Sequence, residues 1–257
     1  MTMHALRVSY EVRKLMQVRG RLHWAHEVFL LLTLSFGGGI LTSLLLGRPQ
    51  PWLVNSAMVP IYGLVYLAVG YFPGDLVYKF LRACAPLSDI VLASLDGIIR
   101  GYGIPTAGIE HVRSLEGPIS RSLSAMLIIG TVLGCGGGII EDLIQISKPQ
   151  WQLRTPTLLQ RPNYDICVSF ITAAFYICST RAWTFQSAFT TLPVEPFDWV
   201  FPQLHPLDAR VMCGLFCTAA LAWKAYGDHQ QYTTLLEKSH PASDTAKKSE
   251  TLSKKSQ

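Results

Sequence analysis

The stretch SFGGGILTSLLLGRPQPW, Ser35–Trp52, sets three glycines inside a leucine-rich run. An interior glycine costs a helix roughly 1 kcal/mol relative to alanine, so three in a row need a reason. The chain does it again in CGGGIIEDLIQISKPQW, Cys135–Trp151. Gly37-Gly38-Gly39-Ile40 matches Gly136-Gly137-Gly138-Ile139, and at the same offset Leu44 and Trp52 match Leu143 and Trp151. Arg48-Pro49 and Lys148-Pro149 correspond with a slip of one. Two related segments imply two related halves.

Composition fixes the class in which such halves operate. Of 257 residues only 15% are charged, against about 25% in soluble domains. Mean hydropathy is +0.28, the range of an all-α protein that crosses a membrane several times. The net charge of +5 gathers at the ends, as it does on the cytoplasmic flanks of membrane spans, which excludes nucleic acid as the partner. The six cysteines form no CxxC pair and no metal-spaced Cys/His cluster, so they read as small apolar residues. No nucleophile elbow, phosphate loop or metal-spaced histidine cluster is present, so neither an enzyme nor a small-molecule substrate is expected.

Six apolar runs are long enough to span a hydrocarbon core of about 30 Å: Val28–Gly47, Val54–Phe72, Pro86–Ile104, Ile119–Ile140, Asp165–Phe185 and Pro206–Tyr226. Lysine and arginine concentrate in alternate loops, which predicts both termini on the cytoplasmic side. The expected organisation is a basic cytoplasmic segment, 1–27, a transmembrane domain, 28–226, and a disordered cytoplasmic tail, 227–257. The domain divides into halves of about 28–85 and 86–185 with an extra helix at 206–226. The first glycine helix then runs outward and the second inward, so the halves are inverted. Inverted repeats place pathways at their interface, where helices are interrupted. The alternative reading of the glycines is close helix packing.

Several segments, in order, resemble the trimeric intracellular cation (TRIC) channel family. They are FGGGILTSLLLG (Phe36–Gly47), PGDLVYK (Pro73–Lys79), LDGIIRGYGI (Leu95–Ile104), AGIEH (Ala107–His111), GTVLGCGGG (Gly130–Gly138) and STR (Ser179–Arg181). The resemblance implies seven helices: two inverted three-helix repeats plus one, with glycine-kinked second and fifth helices. It implies a homotrimer with a pore in each protomer, potassium as the permeant ion, counter-ion flow during calcium release, and residence in the endoplasmic reticulum or another internal membrane. It also implies membrane lipid as a partner, with phosphoinositide bound near a basic signature, and no other cofactor or metal. Two departures stand out. Six spans are found where the family has seven, the helix without a counterpart being the first. In the signature, Asp96 and Gly97 replace a lysine and a glutamate, Gly103 replaces a second lysine, and Arg100 is retained.

The candidate kink and pore glycines are Gly37, Gly38, Gly39, Gly134, Gly136, Gly137 and Gly138, because backbone freed from a helix inside a membrane must face protein or water. Asp89, Asp96 and Arg100 fall at i, i+7 and i+11, on one helical stripe, and ionisable groups within spans mark ion pathways. Arg100 either lines the pore, holds a lipid phosphate, or forms a structural pair with Asp96. Asp75 and Lys79, at i and i+4, read as a pair at a helix end or as charges at a pore mouth. Arg181 is expected to snorkel or to pair with an acid such as Asp142. Lys254 and Lys255, in the ending KKSQ, resemble a dilysine retrieval signal. Two other functions fit inverted repeats in a membrane: a secondary transporter, and a non-conducting scaffold or lipid-binding protein.

Overall fold

The computed structural model describes residues 1–155, 157, 163–180 and 203–239. Among them the fold rests on the helices α1 (Thr2–Arg19), α2 (Trp24–Leu46), α3 (Met58–Gly70), α4 (Leu76–Ala83), α5 (Leu87–Gly103), α6 (Leu123–Ile144), α7 (Tyr164–Ser179) and α8 (Pro206–Ser239), with no strand. Local chemistry sets their ends. Ser122 Oγ accepts the Ala125 N–H at 3.2 Å to start α6, and Asn163 Oδ1 accepts the Ile166 N–H at 2.9 Å to start α7, both as N-caps. Gly47 closes α2 in the left-handed region, φ 62°, where glycine carries no steric penalty. α5 continues as a π-helical stretch, Ile104–Glu110. Between α3 and α4 the turn Pro73–Asp75 bends the axis by 74°, since Pro73 has no N–H to continue the ladder and Gly74 takes φ 72°.

The glycine triplets form the centre. α2 and α6 cross antiparallel with their backbones in contact. A Cβ placed on Gly37 would lie 2.5 Å from Cα of Gly137, and one on Gly136 would lie 2.6 Å from Cα of Gly38. A Cβ on Gly38 would strike the carbonyl oxygen of Leu133, and one on Gly137 that of Leu34. Each contact is the image of another under the offset of 99 residues that carries Gly37 to Gly136 and Leu34 to Leu133. The inverted relation of the halves is therefore built into the crossing itself. Both helices run as single elements through the triplets. The glycines let the two helices touch.

Two apolar clusters make most of the core, the first centred on the first half and joined by Ile146 from after α6, the second centred on the second half. Ala5, Val12, Met16, Leu30, Leu31, Tyr62, Tyr66 and Ile146 make the first. Ile104, Ile109, Val112, Met126, Ile129, Ala173, Tyr176 and Ile177 anchor the second, joined by Ala209 and Cys213 from α8. α8 lies along α5 at a small-xxx-small seam: a Cβ on Gly97 would lie 2.5 Å from Cα of Thr218, and one on Gly101 2.5 Å from Cα of Gly214. Gly97, which looked like a lost glutamate, is a packing residue.

Residues 1–27 are not a basic flank. Thr2–Arg19 is a helix packed on α3, α5 and α2, with Ala5 and Tyr10 fully buried. It supplies the helix that the sequence lacked ahead of α2, so the first half runs from α1 to α4 and the second from α5 to α7. The sequence hid it because its charges point inward, as described below. Met1 shares a cavity with Phe36 and Trp52. At the other end, the helix expected to stop at 226 continues to Ser239, which corrects the tail boundary of 227. Among the described residues, two helices are long and apolar enough to cross a membrane, Trp24–Leu46 and Leu123–Ile144, with the bent pair Met58–Gly70 and Pro73–Ala83 as a third. α7 is apolar but has only 16 residues, and α5 and α8 carry charges turned into the bundle. Arg181 and the residues after 239 lie outside the described residues.

Candidate functional site

Beside the crossing lies a cavity of about 450 Å3. Gly38 on α2 and Gly134, Gly136, Gly137 and Gly138 on α6 form one wall, and Asp96 and Arg100 on α5 form another. His4 and Arg7 of α1 and Asp165 of α7 complete it. A second cavity of about 580 Å3 follows along α2, lined by Gly39, Thr42, Arg48, Glu110 and His111. Ala107 and Leu133 wall both cavities. Of the sequence candidates, Gly38, Gly134, Gly136–Gly138, Asp96 and Arg100 meet at one place. Gly39 faces the second cavity, and Gly37 is used up in packing on Gly137.

The charge arrangement is a continuous chain. Asp96, 1% exposed, is hydrogen-bonded through Oδ1 to the His4 ring at 2.8 Å, while its Oδ2 is ion-paired at 3.0 Å with Arg100 Nε and at 3.5 Å with Arg7 Nε. Arg100 also donates Nη1 to the carbonyl of Gly134 at 3.0 Å and to Asp165 at 3.2 Å. Asp165 in turn binds Lys224 of α8. Buried charges persist only when paired and hydrogen-bonded, and this chain ties α1, α5, α6, α7 and α8 together. The expected Asp96–Arg100 pair is present, and Arg100 lines the cavity as well.

Asp89 and Asp96 also settle how α1 is held. Lys14 Nζ lies 3.2 Å from Asp89 and Arg7 lies on Asp96, so the seven-residue spacing on α1 meets the same spacing on α5, antiparallel. The His229 ring is 2.9 Å from the other oxygen of Asp89. Asp75 does not pair with Lys79: it takes Arg13 Nη2 at 2.7 Å, and Lys79 is exposed. Asp142 accepts from Thr157 at 2.7 Å. Lys254 and Lys255 lie outside the described residues. Sequence reasoning missed His4, Arg7, Asp165 and Lys224. The only sequence signal was the matched spacing of Arg7 and Lys14 to Asp89 and Asp96. Among the described residues no cluster of His, Cys, Asp and Glu could hold a metal ion.

Two inverted halves that meet at a tight glycine crossing beside a polar cavity define a membrane channel or carrier rather than an enzyme. Comparison with known proteins gives the family. The TRIC channel family model matches residues 22–193, two thirds of the chain, and the chain belongs to that family, whose members are channels. Trimeric intracellular cation channel type B of Xenopus tropicalis is 30% identical over 142 residues, 55% of this chain and 48% of that protein. The Danio rerio type B channel is 29% identical over 146 residues, covering 55% and 47%. The chain thus spans about half the length of the curated relatives it matches. A solved TRIC counter-ion channel of calcium release superposes with a TM-score of 0.66 at 20% identity, covering 87% of this chain and 92% of the other. A Caenorhabditis elegans TRIC channel with bound Ca2+ gives 0.61 at 22%, covering 89% and 90%. At these identities the superpositions establish the fold.

Proposed function

We propose that this protein is a potassium-conducting cation channel of an intracellular membrane. It assembles as a homotrimer with one pathway in each protomer and carries counter-ions during calcium release. The observation that carries this reading is the pair of successive cavities along α2, with a buried charge chain in the wall of the first. Pathways in inverted-repeat membrane proteins lie at the interface of the halves, and ionisable groups inside such bundles mark ion routes. The route passes Gly38 and Gly134–Gly138, then Ala107 and Leu133, then Thr42 and Arg48. A phosphoinositide headgroup is the lipid that the family resemblance suggests for Arg100. It would compete with Asp96 and Asp165 for the guanidinium, so binding should be weaker than at an unpaired arginine.

Reconstitution of the purified full chain in a planar bilayer with opposed potassium and sodium gradients tests the reading. Unitary currents reversing toward the potassium equilibrium potential are expected. Saturable flux without unitary currents would replace the channel by a carrier, and no flux at all would leave a scaffold.

A further inference from the structure

Asp165 lies in the first turn of α7 and, with Glu11 of α1, is an acid of the cavity wall outside the α5 row. Its Oδ1 faces Arg100 Nη1 at 3.2 Å, while its Oδ2 accepts from Lys224 Nζ on α8. Arg100 and Asp165 line the cavity and Lys224 stands behind them. Asp96 is shared by His4, Arg7 and Arg100, so it cannot alone cancel the two guanidiniums at the cavity. The remaining hold on Arg100 comes from Asp165 and the Gly134 carbonyl. The cavity walls carry Arg7 and Arg100 against Glu11, Asp96 and Asp165. Removing the charge of Asp165 takes away the acidic excess and also frees one side of the guanidinium.

We propose that Asp165 is a positioning and charge-selectivity residue of the pathway. It holds Arg100 against α6 so that its positive charge does not oppose a cation in the cavity, and Lys224 sets how much negative charge Asp165 presents there. This rests on the channel reading above. A unit charge a few ångströms from a permeating ion is worth at least about 1 kcal/mol, even in water, which is about fivefold in ion preference.

The test is the reversal potential of the full-length wild type, D165N, D165E and K224M in planar bilayers under a KCl gradient. D165N should lower the potassium-to-chloride permeability ratio at least about fivefold. D165E should keep the wild-type ratio, and K224M should raise it. An unmoved ratio in D165N, or an equal loss in D165E, overturns the proposal, the latter because it marks a packing role rather than a charge role. Should D165N fail to fold, K224M decides, and the absence of a rise overturns it. A silent wild type overturns the channel reading and this inference with it, whereas a conducting wild type with unmoved variants overturns only the inference.

Discussion

The three glycines of each triplet have different surroundings, and so do their substitutions. A methyl on Gly38 or Gly137 meets a carbonyl oxygen of the facing helix, and backbone cannot swing aside as a flexible side chain can. Overpacking of this kind costs about 1–3 kcal/mol. Gly138 has nothing within 4 Å of the added atom, so alanine there gains the helix propensity that glycine lacks, about 0.5–1 kcal/mol. G38A and G137A should lower the melting temperature in detergent by similar amounts, because their contacts are images of each other, while G138A leaves it unchanged or raises it. Equal melting of G38A and G138A would contradict the crossing. At this scale the sequence was readable in kind but not in detail. The matched triplets announced a paired feature, yet they did not say whether glycine served to break a helix or to bring two together. That choice depends on the facing helix, which no local pattern contains.

At the scale of elements, α1 is the instructive case. Arg7, Arg13, Lys14 and Arg19 read as a solvated flank because an isolated segment gives no reason to bury them. The structure turns Arg7, Arg13 and Lys14 inward against Asp96, Asp75 and Asp89, while Arg19 stays exposed and donates to the Ser147 hydroxyl. A basic helix becomes an interior helix once its partner supplies acids at the same spacing. The boundary of α8 was misplaced for a related reason. Its polar extension beyond Tyr226 is held by His229 on Asp89 and by the Tyr232 hydroxyl 3.0 Å from that of Tyr78, long-range contacts that composition cannot foresee. The α1–α5 register yields a charge-swap prediction. Removing one partner of a buried pair costs about 3–5 kcal/mol, and K14D also sets a second acid beside Asp89 and near Glu11. The K14D chain should unfold at clearly lower denaturant than wild type, and K14D/D89K should recover at least half of the loss, the coupling that a double-mutant cycle isolates. If the double variant is no better than the sum of the singles, α1 is not held by this pairing.

For the whole molecule, the question is which ends of the bundle share a side of the membrane. The pairwise contacts answer it without reference to hydropathy. The first turns of α2 and the loop after α6 belong together, since Phe29 stacks on Trp151 at 5.3 Å between ring centroids. The far end of α2 and the end of the α5 extension belong together, since Arg48, His111 and Ser114 wall one cavity. The same division follows from the excess of lysine and arginine in 141–164 over the loop that holds Arg113. Two independent lines, charge bias and packing, therefore place His23 and Gln152 on one side, and Arg48 and Glu116 on the other. All four are exposed. Single cysteines at these positions, in a background with the exposed Cys84 and Cys167 replaced by serine, can be tested in sealed microsomes with a membrane-impermeant maleimide. Positions 23 and 152 should label from outside the vesicle, which is the cytoplasmic face. Positions 48 and 116 should label only after the membrane is permeabilised. Labelling of 23 and 48 from the same side would mean that α2 does not cross the membrane. The inverted arrangement of the halves, which requires α2 and α6 to cross in opposite directions, would then have to be abandoned.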